Sequence, residues 1–183
     1  MTEPLPLSGV ELCRHTDPSY PVADPEFEPY AHQQDLRDLF TSETSFLAVN
    51  DSPTGGGKTM SWLAPIVESE EHAVALYPTN ALIHDQESNL RAEFAEKFPE
   101  TRLGEDTVLL TVTAETLRGE YAEQFPTATS NGARLRRLLR REVYHSNRQV
   151  ILLTNPDIFV MMRRSLYGRP GNPSAKVRAL NEF

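Results

Sequence analysis

A chain of 183 residues with 39% hydrophobic side chains is about one domain long and has material for a real core. No run approaches the ~20 apolar residues of a membrane span, Met1-Thr2-Glu3-Pro4 lacks the basic and apolar regions of a signal peptide, and the single Cys13 excludes an internal disulfide and a cysteine zinc site; a cytoplasmic protein is the natural reading. The net charge is −8, and lysine occurs only at Lys58, Lys97 and Lys176, the other 15 of the 18 basic residues being Arg; a surface so rich in acid and poor in lysine suits a salt-rich, halophilic cytoplasm.

Residues 1–28 are rich in Pro, Asp and Glu and read as an extended lead-in. Tyr30–Phe40 reads as a helix with Leu36, Leu39 and Phe40 on one face, and Phe46–Asn50 as a buried strand. Lys58–Val67 reads as a helix that Pro65 shortens or bends. Ala73–Tyr77 is a continuous apolar run stopped by Pro78, the pattern of a parallel strand buried on both faces. Asn80–Phe98 predicts a long amphipathic helix with Leu82, Gln86, Leu90 and Phe94 along one face. Thr107–Thr113 is a third strand, Thr116–Phe125 and Gly132–Tyr144 are helical, and Thr127–Asn131 is a polar turn between them. Val150–Thr154 is a fourth strand, Asn155-Pro156-Asp157 opens a helix with Pro in its first turn, and Gly168–Ser174 is a Gly/Pro loop. Strands alternating with helices predict a parallel α/β sheet, with right-handed crossovers and ligands at the C-terminal ends of the strands.

The sharpest signal is Ser52-Pro53-Thr54-Gly55-Gly56-Gly57-Lys58-Thr59. A strand, a glycine-rich loop ending Gly-Lys-Thr and a helix together make a triphosphate cradle. Glycine lets backbone N–H groups turn inward without Cβ clashes, and the positive end of the following helix adds to the anion site. Lys58 reaches the β- and γ-phosphates in such a cradle, and the Thr59 hydroxyl ligates Mg²⁺. Ser52 stands where the bare pattern has Gly. ATP and Mg²⁺ are the cofactors this predicts.

Further stretches have the order and spacing of a superfamily 2 helicase motor. Tyr30-Ala31-His32-Gln33-Gln34 precedes the loop by about the distance of an adenine-reading glutamine. Gln33 is the candidate, with Gln34 as the alternative, since a carboxamide both accepts from and donates to the adenine edge. Tyr77-Pro78-Thr79-Asn80-Ala81-Leu82 resembles motif Ia, where a strand end feeds a helix start that faces nucleic-acid phosphates. Many relatives have Arg where this chain has Asn80. Leu153-Thr154-Asn155-Pro156-Asp157-Ile158 resembles motif Ib and predicts a second such helix start. Pro78, Thr79, Asn80, Thr154, Asn155, Pro156 and Asp157 are therefore candidate nucleic-acid contacts.

Taken together, residues 29–183 resemble an incomplete first RecA-like domain of a DEAD/DEAH-type helicase, three-layer α/β/α with a parallel sheet. The likeness is greatest to the helicase subunit of type I-D CRISPR systems. It implies DNA rather than RNA as the strand held. As partners it implies a CRISPR effector complex or the rest of a split helicase. In such motors a strand ending Asp-Glu follows motif Ib; here only Asn181-Glu182 occurs, with no apolar strand before it. The pattern therefore predicts a gene fragment or one piece of a split protein, with negligible ATP hydrolysis of its own. A nucleotide-gated docking module and a non-helicase phosphate-loop enzyme are the rival readings. Arg134, Arg136, Arg137, Arg140 and Arg141 stripe the helix at Gly132–Tyr144, either as a nucleic-acid patch or as a solvated face with acid partners. Arg163 and Arg164 stand near motif Ib as further backbone contacts, and the five His residues have no metal-ligand spacing.

Overall fold

The computed structural model describes residues 30–42, 46–51 and 55–167, so the lead-in, Ser52–Thr54 and the Gly168–Ser174 loop lie outside the described residues. The chain divides between Ser69 and Glu70 into two compact units.

The first unit contains α1 (Ala31–Ser42) and α2 (Lys58–Ser69). Arg37 of α1 forms an exposed ion pair with Glu68 of α2. Pro65 sits inside α2 without ending it. The strand expected at Phe46–Asn50 does not form: the segment has no ladder bonds, and Leu47 and Val49 are 81% and 80% exposed. A strand needs a neighbouring strand to complete its ladder, and among the described residues no strand pairs with this run. Phe46 meets Phe40 edge-on, with ring centroids 5.1 Å apart.

The second unit is a parallel sheet of β1 (Ala73–Leu76), β2 (Thr107–Val112) and β3 (Gln149–Thr154), in the order β1-β3-β2. Leu76, Thr154 and Val112 are in register, so the three strands end level. Every residue of β3 is buried, which requires cover on both faces. On one face Leu110, Val112, Val150 and Leu152 pack with residues of α4 (Ala114–Arg118), α5 (Glu120–Gln124), α6 (Asn131–Leu139) and α7 (Pro156–Tyr167). On the other lies α3 (Asn80–Lys97), located by a 2.7 Å bond from the Thr111 hydroxyl to Glu87 Oε2. Helix, sheet and helix give the three-layer arrangement expected of a partial RecA-like domain.

Three details differ from expectation. The buried face of α3 is Ile83, Leu90 and Phe94, whereas Leu82 is exposed. The helix expected at Thr116–Phe125 is two short ones broken at Gly119, the first opened by a reciprocal cap between Thr113 and Thr116. The helix expected at Gly132–Tyr144 becomes a π-helical turn at Arg140–Tyr144. The wider turn brings both Glu142 and Val143 inside, where Arg141, 2.5 Å away, and Arg148 neutralise the Glu142 carboxylate.

Candidate nucleotide and nucleic-acid sites

In the first unit the described part of the phosphate loop is Gly55–Thr59. Gly55 and Gly57 have φ of +85° and +67°, backbone that side chains rarely tolerate. A Cβ at Gly57 would also meet Gln33 Nε2 at 2.5 Å and push the end of that carboxamide aside. Gln33 is buried; its Nε2 donates to the Gly57 carbonyl at 3.0 Å, and its Oε1 accepts from the Tyr30 N–H at 2.9 Å. In this arrangement the carboxamide is a strut between the start of α1 and the loop. Gln34 points elsewhere, donating to Asp38 at 2.8 Å.

Helix α2 begins at Lys58, and its first-turn N–H groups are left over by helix geometry. Lys58 is exposed with no carboxylate partner among the described residues, and Thr59 is half-buried. A second brace escaped the sequence reading: Asn50 Nδ2 donates to Ser61 Oγ at 2.9 Å, and that hydroxyl donates to the Lys58 carbonyl at 2.6 Å. The signal was available only as a polar residue at each end of the motif. Left-handed glycines, a helix start, an exposed Lys58 and the Thr59 hydroxyl fit a triphosphate with Mg²⁺.

In the second unit, the level strand ends put two helix starts side by side. Tyr77 N–H extends the ladder by donating to the Thr154 carbonyl at 2.9 Å. Thr79 then turns extended and caps α3, its hydroxyl accepting from Leu82 N–H at 3.2 Å. Asn155 caps α7 by accepting from Ile158 N–H at 3.0 Å, and its Nδ2 donates to Asn80 Oδ1 at 3.0 Å. Pro78 and Thr79 are exposed, Asn80 and Asn155 half-buried, and Pro156 and Asp157 exposed.

The two helix starts are not equivalent. Helix α3 carries no acid in its first turn, whereas α7 carries Asp157. An acid there steadies the helix dipole but repels a phosphate, so α3 is the better anion site. Thr154 is fully buried, and its hydroxyl donates to the Val112 carbonyl at 2.6 Å. It ties β3 to β2 instead of facing outward. Arg163 is exposed on α7, and nothing is described of the Arg164 side chain.

Beneath α3, burial raises the Glu87 carboxyl, but hydrogen bonds from Thr111 and Arg91 outweigh it and hold the group below the usual range. No helix among the described residues is long and apolar enough to cross a membrane.

Residues 30–107 match the family model of the DEAD/DEAH box helicases. That span includes Gln33, the phosphate loop and the Thr79–Asn80 helix start, and it stops short of Thr154–Asp157. The helicases of that family use ATP with a divalent metal and bind nucleic acid. Druantia protein DruE of Escherichia coli (strain UMEA 4076-1) is 36% identical over 83 residues, which cover 37% of this chain and 4% of that protein. The chain therefore spans a small part of the length of this curated relative. No solved structure matches.

Proposed function

We propose that this chain binds MgATP and a nucleic-acid backbone as part of the first motor domain of an ATP-dependent helicase. The observation that carries the reading is the Asn155–Asn80 bond, which joins two helix starts at the C-terminal end of a parallel sheet. Ligands of open α/β sheets bind at that end. Thr79, Asn80 and Asn155 offer backbone N–H groups and side-chain polar atoms to phosphates, and such contacts carry no base sequence. In the other unit Lys58, Thr59 and the loop glycines hold the triphosphate, with Gln33 fixing the loop from behind. The bound nucleotide supplies a γ-phosphoryl group whose transfer depends on positioning and charge.

DNA as the strand, action beside a guide-RNA effector complex in CRISPR defence, and a salt-rich cytoplasm are the finer reading. Its support is the sequence cues His32-Gln33, Pro78-Thr79-Asn80 and Thr154-Asn155-Pro156-Asp157, together with the acid-rich composition.

Calorimetric titration of the full chain with MgATP tests the proposal. Lys58→Ala should weaken binding tenfold or more, because a charge-assisted contact worth ~1.5–3 kcal/mol is lost. Equal binding by both proteins, with unchanged circular dichroism, would sink it.

A further inference from the structure

Asn131–Tyr144 carries five of the chain's 18 basic residues and one acid, in a protein of net charge −8. That acid, Glu142, is buried and already paired with Arg141 and Arg148, so it does not oppose charge at the surface. Leu135, Leu138 and Leu139 are buried, which turns Arg136, Arg137 and Arg140 outward. None of these three has a carboxylate partner among the described residues. Arg137 donates to the Thr127 hydroxyl and Arg140 Nε to His145 Nε2 at 3.3 Å, while Arg136 makes no bond among the described residues. Unpaired like charges repel at a cost, and a solvated face would be expected to interleave acids with them. The acids of the adjoining α5, Glu120 and Glu123, leave these guanidiniums unbonded.

We infer that the outer face of α6 and its π-helical turn is a second phosphate-backbone contact, for single-stranded nucleic acid. Arg136 and Arg140 stand one turn apart, about 6 Å along the helix, with Arg137 beside them. Planar guanidiniums bond phosphate oxygens two at a time, and a flexible polyanion is the ligand that offers phosphates in a row. An acidic peptide presents carboxylates singly and matches this row less well. The inference rests on the proposal above that nucleic acid is the partner, and it adds contact residues on a further helix.

The test is fluorescence anisotropy of labelled oligodeoxythymidylate with the full chain, titrated across salt. The triple substitution Arg136→Gln, Arg137→Gln, Arg140→Gln should weaken binding about tenfold at low salt and reduce the slope of log K against log salt by about 2, from three lost phosphate contacts at ~0.7 each. A Thr79→Ala, Asn155→Ala protein reports the helix starts separately and should retain the stripe's share of the slope. An unchanged slope in the triple variant, with circular dichroism intact, overturns the stripe even if the helix-start variant is impaired. An impaired triple variant beside an unaffected helix-start variant keeps the stripe and discards the helix-start contacts. Preferential binding of polyglutamate over the oligonucleotide also overturns the inference.

Discussion

Val150–Thr154 and Phe46–Asn50 are apolar runs of the same length and similar composition. The first lies in β3, bonded to a strand on each side and buried along its whole length. The second bonds to no strand among the described residues and exposes Leu47 and Val49. Apolar sequence states how much a segment can bury. Whether it does so depends on neighbours that accept its backbone hydrogen bonds and cover both faces. β3 gains those neighbours from β1 and β2, which flank it in space although both precede it in sequence.

That contrast can be broken by mutation. Leu152→Ala should cost about 2–5 kcal/mol, as a large-to-small change in a sealed core does, whereas Leu47→Ala should stay within about 0.5 kcal/mol. Urea unfolding followed by circular dichroism gives both values. Comparable losses would mean that the Phe46–Asn50 run is buried in solution after all.

Gly57→Ala should have the next largest effect. Left-handed backbone and the clash with Gln33 together should cost about 1–3 kcal/mol and weaken MgATP binding. The single tryptophan, Trp62, lies in α2 and gives a fluorescence readout within residues 1–69. Gln33→Ala in the same protein should recover the steric part but not the φ strain. Full recovery would show that the conformation of Gly57 is not what matters.

Three strands were legible because Ala73–Tyr77, Thr107–Thr113 and Val150–Thr154 are short runs rich in apolar and β-branched residues. Parallel pairing followed from the helices between them. The helix starts at Asn80 and Pro156 were legible too, since Thr79 and Asn155 are capping residue types. The strut role of Gln33 was not, because a carboxamide on a helix has the same appearance whether it meets a base or a carbonyl. Neither was the inward turn of Thr154, whose side depends on register against Val112. The π-helical turn left no periodic signature, as it inserts one residue into an otherwise ordinary leucine and arginine pattern.

The smallest expected effect concerns acid. The folded Glu87 carboxyl sits below its ordinary value, so its contribution is fully present above the ~4.3 of an unfolded glutamate and fades as pH falls through the lower, folded value. Thr111→Val removes one donor and should cost about 1 kcal/mol at neutral pH, with a smaller difference from the parent in strong acid. Parallel pH–stability curves for the two proteins would place the acid dependence elsewhere.

The level ends of the three strands also limit how the chain can change in length. Along β3, Val150 and Leu152 serve one helical layer, and Ile151 and Leu153 between them serve the other. One residue inserted ahead of Leu152 would exchange the two sets and pull Asn155 out of line with Asn80. The exposed Pro99–Glu100 turn can absorb an extra residue at the surface. Length variation among related chains should therefore collect in such turns and avoid β3, where only substitutions that preserve the count are tolerated.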